Sequence, residues 1–224
     1  MVINPGNPTG QVLSRDNIHS IIMLAHRHSV MILADEVYQN NIYSPNCKFI
    51  SFRQELQALG PPYDTEVELI SYHSISKGLL GECGLRGGYM ELRNLPQQAE
   101  DMLYKLKSIE LCSNTIGQMA VQLMVKPPTK GVESDECVEQ YNAQVDIVRQ
   151  GLKERAKLLT ETFNAMTNVS CTEIQGAMYA FPRVNFSNKF IEHAKSLGKS
   201  PDFLYCLEMV NKTGIMTVPG SGFG

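Results

Sequence analysis

No CxxC pair and no short regular cysteine spacing occurs in this chain of 224 residues; its six cysteines stand at 47, 83, 112, 137, 171 and 206. The usual sequence signatures of zinc sites and disulfide frameworks are thereby excluded, and a reducing compartment is the simplest setting. Charge of one sign is never gathered into a block: 20 basic and 23 acidic side chains are interspersed, for a net charge of -3. A nucleic-acid or anionic-lipid partner would need a basic face, and the sequence advertises none. No apolar run approaches the roughly 18 residues of a membrane span. The opening stretch, MVINPGNPTG, has neither a basic n-region nor an apolar h-region, so secretion is not expected from it. Internal repeats and low-complexity segments are missing too. What is present is a chain that is 43% hydrophobic and long enough for a real core. It suits one large domain, or one domain with part of another, engaged in small-molecule work.

Both ends are abrupt. MVIN reads as the last residues of a buried strand entering a turn, and TVPGSGFG leaves a strand-like run to stop inside a glycine-rich turn, so a fragment or truncated gene product is expected. The expected location is cytoplasmic, or mitochondrial if a targeting segment preceded Met1. After the NPGNPTG turn, Ser14 is placed to cap a helix whose apolar positions Ile18, Ile21, Ile22 and Ala25 recur at helical spacing. VMILA, residues 30 to 34, fits a parallel strand covered on both faces, and Val67 to Tyr72 reads as the next strand after two turn-rich stretches. Pro96 opens a helix with Ala99, Leu103, Leu106 and Ile109 as its inner stripe; another helix over TIGQMAVQLMV is stopped by Pro127 and Pro128. Val138, Tyr141, Val145, Val148, Leu152, Ala156, Leu159, Phe163 and Met166 predict one long amphipathic helix. VSCTEI, AMYAF and IMTVP are strand candidates, with helices over 187–197 and 202–212 closed by Gly214. The fold class is therefore α/β: a mixed, mostly parallel sheet with helices on both faces, a long interdomain helix and a small α+β unit. The regions are expected at 1–128, 129–166 and 167–224.

Open α/β sheets bind ligands in the crevice beyond the carboxyl ends of their parallel strands. The strand ending at Ile3 leads to Asn7, Pro8, Thr9 and Gly10; the strand ending at Ala34 leads to Asp35 and Tyr38; the strand ending near Tyr72 leads to Ser74 and Lys77. An amide, a carboxylate with a phenol, and a hydroxyl with an amine are thus delivered to one edge. An amine forms a Schiff base with an aldehyde cofactor, and pyridoxal 5'-phosphate also needs an acid beside its ring nitrogen. Lys77 supplies the amine, Asp35 the acid, and Tyr38 with Asn7 the hydrogen bonds to the phenolic oxygen. Ser74 and Arg86 are left for the phosphate. Glycines 78, 81, 84, 87 and 88 are expected to let backbone approach that cofactor. If Arg86 stays at this edge, the GGYMEL strand must run antiparallel to the others.

At this point NPGNPTG, LADEVYQ, SISKGLLGECGLRGGYME, GAMYAFP and VPGSGFG resemble, in order and spacing, the class I/II aminotransferase family of fold type I pyridoxal phosphate enzymes. The resemblance spans nearly the whole chain and is greatest to the alanine-using subgroup. It implies Lys77 as the imine lysine and the proton carrier between substrate and cofactor, Asp35 on the ring nitrogen, Asn7 and Tyr38 on the phenolic oxygen, and Ser74 and Arg86 on the phosphate. It implies amino acid and 2-oxo acid substrates, with L-alanine and 2-oxoglutarate giving pyruvate and glutamate, and a homodimeric intact enzyme. A glyoxylate-using enzyme of the same subgroup is the near alternative. Arg86 follows Lys77 by nine residues, one more than in many relatives of the broader family. The family's glycine-rich phosphate turn and ring-stacking residue would precede Met1, and its substrate-carboxylate arginine would follow Gly224. A chain of this extent is expected to be weak or inactive alone, and a catalytically deficient product that pairs with the intact subunit is the reading from a different class.

Each site residue has a plain structural alternative. Lys77 is a solvated surface lysine in that reading, Asp35 with Glu36 a helix-capping pair, Tyr38 an aromatic at the core edge, and Asn7 a turn former. Ser74 becomes a helix cap, and Arg86 an ion-pair partner of Glu82 or Glu91. His19, His26 and His28 decorate the polar side of their helix, and no metal site is expected.

Overall fold

Ser14 starts the first helix by a reciprocal cap, its hydroxyl accepting from Asn17 N at 3.2 Å while its own N–H donates to Asn17 Oδ1 at 3.2 Å. The helix, α1 (Arg15–His28), buries Ile18, Ile22 and Ala25 and ends at Ser29 in the left-handed region, φ 51°. The computed structural model describes residues 1–223; Gly224, the last letter of the GSGFG motif, lies outside the described residues. Four strands form one sheet in chain order: β1 (Val2–Ile3), β2 (Ile32–Asp35), β3 (Leu69–Ser74) and β4 (Gly88–Arg93). The first three are parallel and β4 is antiparallel to β3, so the sheet is mixed as expected. Strands β2 and β3 start two residues later than the apolar runs suggest. Val30 N caps α1 by donating to Ala25 O, and Val67 N closes the turn before β3 on Tyr63 O, so neither is free for the ladder.

The core lies between one face of this sheet and its helices. Ile32, Ala34 and Leu69 meet Ile18 and Ile22 of α1 and Phe52 and Leu56 of α2 (Phe52–Leu59), all buried. Each such large side chain contributes roughly 1.5–3 kcal/mol on burial. Helix α2 and the single turn α3 (Tyr63–Glu66) fill what the sequence suggested was only turn. Ser51 caps α2 by accepting from Gln54 N at 3.1 Å. His19 is a second correction: it faces inward, hydrogen-bonded at 2.6 Å to Glu55, which is 2% exposed and also pairs with Arg15.

Three helices follow: α4 (Gln97–Ser108), α5 (Thr115–Val125) and the 31-residue α6 (Asp135–Ala165). The expected inner stripe of α4 is not buried; Leu106 is 61% and Ile109 73% exposed, because no described element packs over them. Helix α5 approaches the start of β4, where a Cβ on Gly87 would stand 2.6 Å from Gly117 O.

Residues Met1–Thr162 and Thr172–Phe181 make one compact unit. A second comprises Phe163–Cys171 and the described residues from Pro182 on. In it β5 (Val169–Ser170) pairs antiparallel with β6 (Arg183–Val184), and α7 (Asn188–Ser196) and α8 (Pro201–Thr213) follow, α8 ending at Gly214 with φ 74°. Phe186 packs its ring on Phe190 and Tyr205, centroids 5.2 and 5.5 Å away. AMYAF and IMTVP are not strands. In the first, Ala177 is tied to loops instead, its N–H donating to Asn41 O and its carbonyl accepting from the Tyr43 hydroxyl, and the second is largely exposed, without a ladder partner among the described residues.

Candidate functional site

Because β1, β2 and β3 are parallel, their carboxyl ends share one edge, and β4, being antiparallel, starts there. The register places Ile3 beside Asp35, Asp35 beside Tyr72, and Ser74 beside Gly88. The segments carrying Asn7, Asp35, Tyr38, Ser74, Lys77 and Arg86 therefore all leave or enter the sheet on the same side. Asp35 is held at the β2 exit by accepting from Val37 N at 3.1 Å. Tyr38 is 2% exposed, and its hydroxyl is hydrogen-bonded to that of Tyr179. Burial, then that hydrogen bond, then the nearby charge of Asp35 push the Tyr38 phenol well above its ordinary range, so it stays neutral.

Lys77 is exposed on the turn after β3, and its side chain has no hydrogen bond or ion pair among the described residues. Ser74 closes that turn. Its hydroxyl faces Gly87 O at 2.9 Å and Ser76 Oγ at 3.0 Å and accepts from Ser76 N at 3.0 Å. Arg86, also exposed, sends Nη1 to Cys83 O at 3.0 Å and pairs with neither Glu82 nor Glu91. Glu91 is taken by Arg53 at 2.9 Å and Arg93 at 3.2 Å. Asn7 is exposed, without a side-chain hydrogen bond among the described residues; the structure leaves it apart from the Tyr38 hydroxyl's contact.

The glycines divide differently from expectation. Gly78 and Gly81 have φ of 69° and 66°, which L side chains rarely adopt. Gly87 and Gly88 are compelled by protein packing, since added Cβ atoms would meet Gly117 O at 2.6 Å and His73 O at 2.8 Å. Gly84 faces open space.

Several polar residues here escaped the sequence reading. Tyr179 is one; its only sequence signal is the GAMYAFP motif, which says nothing of a Tyr38 contact. Glu36, buried beside Asp35, accepts from Phe52 N at 2.8 Å, and burial raises its carboxyl to about 7 despite that bond. His73, buried on β3, stands edge to face with Tyr89 at 5.8 Å; burial lowers its pKa against the opposing pull of Asp35. Asn41 is fully buried, with Nδ2 on Tyr43 OH at 3.1 Å and Oδ1 unpartnered, 3.4 Å from where a Cβ of Gly78 would stand.

The fold is the α/β layer of the fold type I aminotransferases. An alanine aminotransferase from Pyrococcus furiosus superposes with a TM-score of 0.77 at 25% identity, over 100% of this chain and 49% of that one. An Escherichia coli aminotransferase gives 0.75 at 26% identity, over 99% and 48%. The chain belongs to the family described as aminotransferase class I and II, whose model matches residues 1–224. Among its relatives, "Probable alanine aminotransferase, mitochondrial" of Dictyostelium discoideum is 48% identical over 100% of this chain and 41% of its own length. Human "Alanine aminotransferase 1" is 45% identical over 100% and 44%. "Glutamate--glyoxylate aminotransferase 1" of Arabidopsis thaliana is 45% identical over 100% and 46%. The chain thus spans less than half the length of these curated relatives.

The enzymes of this family use pyridoxal 5'-phosphate, and the donor set can be tested against it. An amine at Lys77, a carboxylate at Asp35, a neutral phenol at Tyr38 and a guanidinium at Arg86 match its aldehyde, ring nitrogen, phenolic oxygen and phosphate in chemical kind. The residues present fit the group. Ser74 is the weakest member, because its one hydroxyl proton already faces Gly87 O and Ser76 Oγ.

Proposed function

We propose that this chain carries the central part of a pyridoxal phosphate-dependent aminotransferase, with Lys77 as its catalytic lysine and Asn7, Asp35, Tyr38, Ser74 and Arg86 as its cofactor-binding residues. The observation that carries the reading is topological: three parallel strand exits and the antiparallel return of β4 bring the amine, carboxylate, phenol and guanidinium to one edge. When bound, the cofactor supplies an electrophilic aldehyde and an electron-withdrawing ring. Lys77 Nζ, exposed and unengaged, is the nucleophile and afterwards takes and returns the substrate proton. Asp35, fixed by Val37 N, is the carboxylate that would face the ring nitrogen and favour its protonated form. Tyr38, kept neutral by burial, donates its hydroxyl proton, and the free N–H groups of Arg86 hold an anion. The intact protein transfers the amino group of L-alanine to 2-oxoglutarate, giving pyruvate and glutamate, and works as a homodimer.

The same level of identity to glutamate–glyoxylate and alanine aminotransferases supports a second substrate reading, a glyoxylate-using enzyme. The short span relative to its relatives supports a third, a catalytically deficient product associating with the intact subunit. The location is cytoplasmic in our reading; the mitochondrial name of the Dictyostelium relative supports the other compartment. Among the described residues no helix is long and apolar enough to cross a membrane. The regions remain proposed as a large cofactor-binding part over 1–128, an interdomain helix over 129–166 and a small part over 167–224.

The test is to mix the purified chain with pyridoxal phosphate, reduce with borohydride and map the modified peptide by mass. Label confined to Lys77, and lost in Lys77→Ala, is the expected result. Label spread over several lysines, or absent, sinks the cofactor reading for this chain and leaves the associating-product reading in front. Alanine with 2-oxoglutarate is expected to turn over slowly at best; ready turnover would refute the deficiency.

A further inference from the structure

Tyr38 and Tyr179 lie 141 residues apart and share a hydroxyl-to-hydroxyl hydrogen bond, their rings edge to face at 5.6 Å and 87°. A neutral phenol has one proton to give. If Tyr38 spends it on Tyr179, its oxygen offers only lone pairs, which repel rather than bind the oxygen of an anionic ligand. If Tyr179 donates instead, the Tyr38 O–H remains free. Among the described residues neither hydroxyl has another hydrogen-bond partner, so an acceptor oxygen presented to Tyr38 Oη selects the second arrangement, provided Tyr179 is held in place to supply its proton.

The segment that carries Tyr179 is tied down just before it, at residues 175 to 177. Gly176 N donates to Gly10 O at 2.9 Å and Ala177 N to Asn41 O at 3.0 Å, while Tyr43 N and its hydroxyl donate to Gln175 O at 2.8 Å and Ala177 O at 2.6 Å. A Cβ on Gly10 would stand 3.0 Å from Tyr179 O, so only glycine, with φ 67°, admits this approach. The segment is thus strapped across the loops that leave β1 and β2, and it delivers a hydroxyl to a buried phenol that needs an orienting partner.

We propose that Tyr179 is a positioning residue: its hydroxyl donates to Tyr38 Oη and so reserves the Tyr38 proton for the phenolic oxygen of pyridoxal phosphate. The proposal rests on the reading that Tyr38 faces that oxygen. It gives the GAMYAFP motif a task at the cofactor site, although Tyr179 itself need not touch the cofactor.

The test is a double-mutant cycle on cofactor affinity in the 224-residue chain, with pyridoxal phosphate titrated by absorbance, Lys77 labelling checked by borohydride, and a melting curve for every variant. Tyr179→Phe keeps the ring contact and removes only the hydroxyl. It is expected to weaken binding roughly threefold to tenfold, the worth of one hydrogen bond. Tyr38→Phe is expected to weaken it as well, and the double variant no further than Tyr38→Phe alone, because the Tyr179 hydroxyl acts only through Tyr38. An unchanged affinity in Tyr179→Phe, or losses that multiply in the double variant, overturns the proposal. So does Tyr179→Leu losing both melting temperature and affinity while Tyr179→Phe loses neither, which marks a packing role. A wild-type chain that takes no label at Lys77 overturns the cofactor reading and this proposal together; a labelled wild type with an indifferent Tyr179→Phe overturns the proposal alone.

Discussion

Glu36 and Asp35 are sequence neighbours with different environments. Asp35 caps the turn at Val37 N, whereas Glu36 turns into the core and accepts from the first N–H of α2. Its carboxyl is raised from 4.5 to about 7, by burial first, and then by Glu91 and Asp35 against the lowering effect of Phe52 N. A raised acid binds its proton more tightly folded than unfolded, so the stability it contributes is complete below about pH 4.5 and is lost as pH climbs through about 7. Glu36→Gln keeps an acceptor for Phe52 N and removes the charge. Its melting temperature is expected to equal or exceed wild type at pH 8, with the slope between pH 5 and 8 flattened, a difference of at most about 3 kcal/mol. Parallel pH profiles for the two proteins would refute this account of Glu36.

Among the elements, α2 tests whether a short helix depends on its cap. Ser51→Ala removes the acceptor for Gln54 N and is expected to cost about 1 kcal/mol in urea denaturation. The turn between β3 and β4 tests the glycine assignment. Gly87→Ala drives a methyl into Gly117 O and is expected to cost about 1–3 kcal/mol, whereas Gly84→Ala, facing open space, should stay within about 0.5 kcal/mol. Equal denaturation midpoints for the two alanine variants would show that packing against α5 does not select Gly87. The same elements show what was legible in advance. Caps and 3.6-residue spacing are local, so α1, α5, α6 and the two late helices could be read directly. The α2 signals, Ser51 with Phe52 and Leu56 behind it, were present but hidden between two proline-rich turns. AMYAF has strand composition, yet composition does not report which partner a backbone finds, and here Ala177 meets a loop carbonyl, Asn41 O, rather than a strand. Strand exits were legible because parallel topology fixes where they point; the Tyr38–Tyr179 contact was not, because no local pattern spans 141 residues.

For the whole molecule, the apolar surface of α4 and α5 sets solution behaviour. Met102, Leu106, Ile109, Ile116, Met119 and Leu123 are each more than 60% exposed, a large apolar exposure for two neighbouring stretches of one chain. Sedimentation velocity is expected to show association that grows with concentration. The pair Leu106→Glu and Met119→Glu should shift the chain toward monomer with an unchanged circular dichroism spectrum. A wild-type chain that stays monomeric at high concentration would rule this surface out as sticky.

The strap at Thr172–Phe181 has a further consequence, in time rather than in space. The chain leaves its first compact unit after residue 162, returns at 172 and leaves again after 181. Synthesis runs from the N-terminus, so a nascent chain carries all four strands and the Lys77 turn well before Gly176 and Ala177, which donate to Gly10 O and Asn41 O, and Tyr179, which meets the Tyr38 hydroxyl, have been made. During that interval Gly10 O and Asn41 O face water instead, and Tyr38 has no phenol to meet. Completion of the edge is therefore a late, long-range closure, the kind of step that slows folding. Pausing translation between residues 162 and 181 should yield chains with a formed sheet that are more open to protease at Tyr38–Tyr43 than the finished chain.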